Sequence, residues 1–163
     1  MQIEVLIDGE GFTEVALFEA AQGAMAREIV SYGAGLGRFA AEEALLFVED
    51  GDEPILVEGV LIDESFATRV HHVHRAKHIA VEVFYMVGHQ RRGFSPATRI
   101  QRILEWAVGP HGFGIDPTIA PEMELALQGT TTALPKSAHI GRFAHHPGGD
   151  VRLDLIRGVV PNG

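Results

Sequence analysis

The sequence contains no cysteine, which excludes disulfide bonds, thiol catalysis and cysteine-ligated zinc for this chain. It also lacks an apolar run near the roughly 20 residues of a membrane span, and no basic segment followed by an apolar one opens it. The composition, 46% hydrophobic and 21% charged, is typical of a folded globular protein. We therefore expect a soluble cytoplasmic protein with no membrane partner.

Motifs that support catalysis are also missing. None of the four serines lies in a nucleophile elbow, and no glycine-rich phosphate loop follows a predicted strand. The run GAGLG at residues 33–37 resembles such a loop, but it follows a predicted helix. We expect that the chain is not an enzyme, has no catalytic residue and binds no cofactor.

Histidines cluster at residues 71–78 and again at His145 and His146. Imidazole is a common metal ligand. However, His72 and His74 of a strand point to one side while His71 points to the other, and no carboxylate falls at a recognised ligand spacing. We therefore predict no metal site and interpret the cluster as a polar strand face where two modules meet. A pH-sensitive junction is a second interpretation.

Charge is divided unevenly along the chain. Residues 1–70 hold fifteen acidic and three basic residues, whereas residues 71–163 hold seven acidic and ten basic ones. This step predicts two modules with different surfaces, and the strongly acidic half argues against a nucleic-acid partner. We interpret the acidic residues as a solvated face. Arginines 91, 92, 99 and 102 are either solvated or a patch for an acidic partner.

A weak internal repeat supports two modules. Residues 3–12 and 79–94 each read as an apolar strand, a glycine-containing turn and a phenylalanine in a second strand. The turns are predicted at residues 8–11 and 88–93. We place a first module at residues 1–75 and a second at residues 76–163, joined without a flexible linker.

Each module then continues with a helix and further strands. The first helix is predicted from an apolar face that begins at Ala21 and ends at GAGLG; the second begins at a capping box of Thr98 and Gln101, or at Ser95, and ends at residues 109–112. Strands follow at residues 44–48, 69–74, 123–128 and 151–156. The order ββαβ(β)β predicts an α+β protein of two tandem ubiquitin-like β-grasp domains, the first of them acidic.

Four segments of the second half are specific enough for a resemblance. HVHRAKHIAVEVFYMVG, GFSPATRIQRILEWAV, HIGRF and VRLDLIRGVVPNG together resemble the bacterial ubiquitin-like proteins of the multiubiquitin type, over about residues 72–163. As a tandem, the chain is similar to the two-domain ubiquitin-like modifiers, among them the interferon-induced modifier of vertebrates.

The resemblance implies a function without an active site. The modifier is activated with ATP by an E1-like enzyme, passes to an E2-like enzyme and is conjugated to a target protein, in bacteria during anti-phage defence, where a phage structural protein is a possible target. A JAB-type protease trims the precursor and removes the modifier. ATP is used by the activating enzyme and is not bound by this chain.

Carried onto this sequence, the resemblance makes Gly163 the acyl donor for conjugation. A residue without Cβ passes most easily through a narrow catalytic cleft. Pro161 favours an extended Val160, which lowers the ordering cost of binding. The familiar ending is Gly-Gly, but here Asn162 precedes the terminal glycine. The tail that binds E1, E2 and protease would comprise Arg157, Gly158, Val159, Val160, Pro161 and Asn162.

Two other functions remain open. The modules could form a non-covalent adaptor or scaffold, or the chain could be a sulfur carrier protein with a C-terminal thiocarboxylate.

Overall fold

The computed structural model of the protein describes residues 1–158, and within this range the strands form two separate four-stranded sheets. The first sheet and its helix comprise β1 (Gln2–Gly9), β2 (Ala16–Ala21), α1 (Arg27–Gly37), β3 (Leu45–Val48) and β4 (His71–His74). The second set comprises β5 (Ile79–Tyr85), β6 (Gly88–Phe94), α2 (Ile100–Val108), β7 (Met123–Leu127) and β8 (Val151–Arg157).

The two sheets have the same topology. The strand orders are β2-β1-β4-β3 and β6-β5-β8-β7. In each sheet the first and last strands pair in parallel, with Ile7 opposite His71 and Val81 opposite Val151, while the outer pairs are antiparallel. One helix crosses from the second to the third strand. This confirms the prediction of an α+β protein built from two ubiquitin-like β-grasp domains.

Strict alternation of apolar residues explains how each sheet meets its helix. In β5, Ile79, Val81 and Val83 are fully buried, while the residues between them are only partly buried. They pack against Ile100 and Ile103 on the inner face of α2. Burying one such side chain contributes about 1.5–3 kcal/mol, so each small module depends on a handful of these positions.

The starts of both helices differ from the sequence prediction. Ala21 lies in β2, and Gly23 has φ of 85°, so the chain turns there and α1 begins only at Arg27. Helix α1 also runs through the glycine-rich segment to Gly37. At Gly33 an added Cβ would lie 2.6 Å from Val73 Cγ2, so the missing side chain lets the helix approach β4.

The predicted capping box of α2 is wrong. The N-cap is Arg99, with no side-chain cap within the described residues. The first free amides of α2 instead donate to backbone oxygens, Ile100 to Ala138 at 2.9 Å and Gln101 to Lys136 at 3.0 Å. A neighbouring loop therefore provides the cap, which sequence spacing within the helix could not reveal. The predicted end of α2 at Gly109 is confirmed.

The turns of both hairpins also lie away from their predicted positions. In the second, Tyr85 pairs with Gly88, so Met86 and Val87 form a tight turn and residues 88–93 belong to β6. Met86 has φ of 52° and both turn side chains are exposed. In the first, Asp8 and Gly9 still belong to β1, and the connection follows them.

Candidate functional site

The two described residues of the predicted tail, Arg157 and Gly158, form the root of the tail, at the end of β8. Arg157 Nε donates to Glu122 Oε2 at 2.6 Å, and Gly158 N donates to the backbone oxygen of Glu122 at 2.7 Å. A Cβ on Gly158 would lie 3.1 Å from Glu124 Cγ, so a glycine suits this close passage. Both residues are thus held against the short 3-10 helix Ala120–Glu122.

The rest of the predicted tail lies outside the described residues. This applies to Val159, Val160, Pro161 and Asn162 and to the predicted acyl donor Gly163. Their assignment as conjugation and enzyme-binding residues therefore stays a prediction. The described part of the second module fixes only where the chain leaves the sheet, at the β8 end.

A second concentration of functional side chains lies where the two modules meet. Polar residues in this position are buried or half-buried and make hydrogen bonds or ion pairs, many of them between the modules. We call these residues the junction cluster: Asp8, Glu10, Glu49, Asp50, His72, His74, Arg75, Arg99, His139 and Arg142.

The predicted alternation of the histidines is confirmed. His72 and His74 of β4 face the second module, whereas His71 stacks on Phe66 with ring centroids 4.9 Å apart. His71 Nδ1 donates to the backbone oxygen of Arg69 at 3.1 Å. Burial lowers the pKa of His71, so this ring is neutral at pH 7.

His72 begins a chain of hydrogen bonds that connects the modules. Its Nδ1 is 3.0 Å from His139 Nδ1, and His139 Nε2 is 2.9 Å from Glu49 Oε2. A carboxylate accepts only, so His139 carries its proton on Nε2 and accepts from His72 on Nδ1. This leaves His72 Nε2 as a buried nitrogen without a partner among the described residues.

His74 makes a complete set of hydrogen bonds as a neutral ring. Its Nε2 donates to the backbone oxygens of Gly141 at 3.1 Å and Ala144 at 2.9 Å. Its Nδ1 accepts from the amide of Ala76 at 2.9 Å. Burial lowers the pKa of His74, although Glu10 and the two carbonyls act in the opposite direction.

The acidic members of the cluster form ion pairs at its centre. Asp8 is fully buried and accepts from Arg142 in a two-pronged contact, Nε to Oδ1 at 3.0 Å and Nη2 to Oδ2 at 2.9 Å. Glu10, also buried, accepts from the Arg75 guanidinium and from the His146 amide. Burial raises the pKa of Glu10, but these hydrogen bonds and nearby His74 outweigh it and lower the pKa overall.

Asp50 provides a further link from the acidic module to α2. Its Oδ1 accepts from the Arg99 amide at 3.0 Å and its Oδ2 from Arg99 Nε at 2.6 Å. The Arg102 guanidinium donates to the backbone oxygen of Asp50. The interaction with Asp50 raises the pKa of Arg99. Neither Arg99 nor Arg102 is therefore simply solvated.

These contacts correct the interpretation of the charge step. Asp8, Glu10, Glu49 and Asp50 do not belong to a solvated acidic face, because they pair with basic groups that follow residue 70 in the chain. The charge asymmetry is partly internal complementarity. Asp8, His139 and Arg142 were not predicted from the sequence as junction residues. For Asp8, the one available sign of burial was its position directly after the buried strand residue Ile7.

Three members of the junction cluster lie close enough together to be considered as metal ligands. Asp8, His72 and His139 each offer a ligand atom within 4.8 Å of the others. However, both Asp8 oxygens accept from Arg142, and they also accept from the amides of Gly9 and His139. A divalent cation would have to displace a guanidinium, so this donor set fits a polar junction and not a metal centre.

The fold and the junction define the class of protein. Two β-grasp sheets packed through a polar junction, the second with an outgoing chain end beside Glu122, are consistent with two ubiquitin-like domains. Residues 80–158 match the family described as BilA ubiquitin-like domain 2. This match supports a ubiquitin-like modifier in general. No curated protein matches the chain.

No helix within residues 1–158 combines the length and apolarity needed to cross a membrane.

Proposed function

We propose that this protein is a ubiquitin-like modifier that is conjugated to target proteins through Gly163. The observation that carries the proposal is the similarity of residues 80–158 to a ubiquitin-like domain, directly after which the sequence continues as a short tail that contains the glycine. We assign residues 1–75 and 76–163 to the two domains. The tandem form and the likeness to the interferon-induced modifier are part of this proposal.

The proposed chemistry takes place on the partner enzymes. The Gly163 carboxylate attacks the α-phosphate of ATP on the E1-like enzyme, which gives an acyl-adenylate and releases pyrophosphate. An E1 cysteine displaces AMP to form a thioester, and an E2 cysteine takes over the acyl group. Attack by a target amine then forms the amide and releases the E2 thiol.

In this chemistry the chain supplies binding and positioning and no catalytic group. The tail root lies at the end of β8, where Glu122 holds Arg157. Residues after the root would lie extended along a groove of the enzyme, bound by backbone hydrogen bonds and side-chain pockets. A JAB-type protease would cleave after Gly163, either in a longer precursor or in a conjugate. We place the pathway in the bacterial cytoplasm, in defence against phage.

The test is formation of a reducible thioester. The full chain is mixed with the E1-like enzyme encoded near its gene and with ATP, and the products are separated with and without a thiol reductant. We expect a conjugate with E1 that the reductant removes, and none after deletion of Gly163. Asn162→Gly serves as the matched control in the tail and should be charged at least as well as the natural sequence.

The outcomes separate this proposal from the two alternatives. A thioester that persists without Gly163 would contradict the modifier mechanism. Binding of E1 without a thioester would favour the adaptor. A chain whose mass rises by the replacement of one carboxylate oxygen with sulfur would favour the sulfur carrier.

A further inference from the structure

The junction cluster contains buried histidines whose hydrogen bonds require neutral rings. His72 is fully buried, and its Nε2 faces the backbone at Gly141, where even an added Cβ would lie 2.4 Å from the nitrogen. A proton on this nitrogen would be a buried donor without an acceptor. Such a group costs about 1–3 kcal/mol when neutral and more when charged.

The charged groups around His72 oppose a proton on the ring. On its own strand, His74 stacks on it with centroids 5.7 Å apart, and from the second module His139 and the Arg142 guanidinium face it. Asp8 lies opposite His72 on β1, but Arg142 already pairs with both of its oxygens. Burial, followed by these positive or potentially positive neighbours, holds the pKa of His72 well below its usual range.

His74 has a similar constraint with different partners. A proton on Nδ1 would point at the Ala76 amide, which is itself a donor 2.9 Å away. Glu10 Oε1 is 3.6 Å from the same nitrogen and would partly compensate, but its carboxylate is already paired with Arg75 and the His146 amide. The lowered pKa of His74 shows that burial outweighs this attraction.

We propose that the junction cluster is an acid-sensitive clasp, which holds the two modules together while His72 and His74 are neutral and releases them when these rings are protonated. Both rings lie on the face of β4 that meets the second module, so separation of the modules exposes them to water while each sheet keeps its own pairing. The inference does not depend on the proposed conjugation.

The sign and size of the effect follow from proton linkage. A histidine whose pKa is lowered in the packed state takes up a proton more readily in the separated state. Packing is therefore fully favoured above about pH 6.5, the ordinary histidine value, and weakens as the pH falls below it. Each ring can change the packed-to-separated ratio by at most about tenfold per pH unit, so two rings set an upper limit of about a hundredfold fall between pH 7.5 and 5.5.

The absence of cysteine makes a direct distance measurement practical. Gln22→Cys and Thr131→Cys place one dye on an exposed position of each module of the full chain. Energy transfer is followed from pH 7.5 to 4.5 beside far-ultraviolet circular dichroism. We expect energy transfer to fall between pH 6.5 and 5.5 with little change in circular dichroism. The logarithm of the packed-to-separated ratio, plotted against pH, should have a slope above zero and at most two protons.

Two variants remove the titration and keep the hydrogen-bond donors. His72→Asn places an amide nitrogen near the position of Nδ1, and His74→Gln places one near Nε2. Each should reduce the slope, by at most one proton, and the double variant should stay packed at pH 5.5. His111→Asn, at an exposed position of the second module, is the matched control and should leave the curve unchanged.

Three results would overturn the clasp. One is constant energy transfer down to pH 4.5. Another is loss of circular dichroism at the same pH as energy transfer, which would mean that the modules unfold. The third is a transition that both variants leave unchanged, because carboxylates such as Glu10 would then control it. If the modules of a variant do not pack at pH 7.5, the test relies on the unsubstituted chain. A packed-to-separated ratio that does not change with pH in that chain would contradict the proposal.

Discussion

The buried ion pair between Asp8 and Arg142 should be the most sensitive polar contact of the junction. Asp8 accepts two hydrogen bonds from the guanidinium, at 3.0 and 2.9 Å, and two more from the amides of Gly9 and His139. Asp8→Asn preserves the shape of the side chain and removes its charge. The amide nitrogen of Asn would then face donors where the carboxylate had accepted.

The magnitude depends on what happens to the remaining charge. Breaking a buried ion pair by removing one partner costs about 3–5 kcal/mol. The Arg142 side chain is 11% exposed and can turn towards water, whereas the Asp8 side chain is 1% exposed and cannot. We therefore expect a loss near the lower value, about 3 kcal/mol, for Asp8→Asn, and a loss near the upper value, about 5 kcal/mol, for Arg142→Met.

The free energy of unfolding in urea at pH 7.5 tests these values. Fluorescence of Trp106, the sole tryptophan, reports on the second module, and circular dichroism reports on both. Arg27→Gln is the matched control, because the Arg27–Glu58 pair has exposed side chains, at 44% and 72%. Its loss should change the free energy by no more than about 1 kcal/mol.

A double-mutant cycle isolates the interaction itself. The combination of Asp8→Asn and Arg142→Met leaves no charge unpaired at this position, so it should destabilise the protein by at least 1 kcal/mol less than the sum of the single losses, about the size of coupling expected for contacting residues. Additive losses, or a loss below about 0.5 kcal/mol for Asp8→Asn, would refute the reasoning that this pair is buried and coupled.

Two further predictions concern the first helix and the root of the tail. Gly33→Ala should destabilise the protein by about 1–3 kcal/mol in urea unfolding, because its Cβ would overlap Val73. A Cβ at Gly35 would meet no neighbouring atom, so Gly35→Ala should stabilise the protein by about 0.5–1 kcal/mol. Equal effects of the two substitutions would contradict the packing of α1 against β4. Arg157→Gln should lower the free energy of unfolding by at most about 1 kcal/mol, because the Arg157 side chain is 63% exposed in its pair with Glu122. A larger loss would show that the root of the tail contributes to the stability of the fold.

Much of the fold could be predicted because it depends on local pattern. The alternation of buried and less buried residues in β5 and β8 is visible in the sequence, and the order of two strands, a helix and further strands left few topologies for a small sheet. The strand in parentheses in the predicted order is the apolar run ILVEGVLI at residues 55–62, and within residues 1–158 it appears only as isolated bridges, such as Leu46 with Ile55. This difference arises because a short apolar run does not reveal whether a partner strand lies within reach.

The misplaced start of α2 and the misplaced second turn have different physical causes. In a capping box, side chains at the start of the helix accept hydrogen bonds from its first free amides. In α2 these amides donate instead to backbone oxygens of residues 136–138. Met86 adopts the left-handed backbone conformation, which residues other than glycine rarely do. The turn was predicted at Gly88 because of its glycine, and it therefore begins two residues earlier than predicted. At α2, contacts distant in sequence outweigh local preference, whereas at Met86 the local pairing of Tyr85 with Gly88 leaves only two residues for the turn.

The sequence by itself determined the two-module α+β organisation, the charge step and the alternation of His71 against His72 and His74, because these follow from composition and from the period of a strand. Only the tertiary structure decided what the charges do. Asp8 and Arg142 are 134 residues apart and pair because two sheets pack together. Burial in that contact removes water from the histidines and carboxylates, and so turns residues that look solvated in the sequence into the groups that hold the modules together.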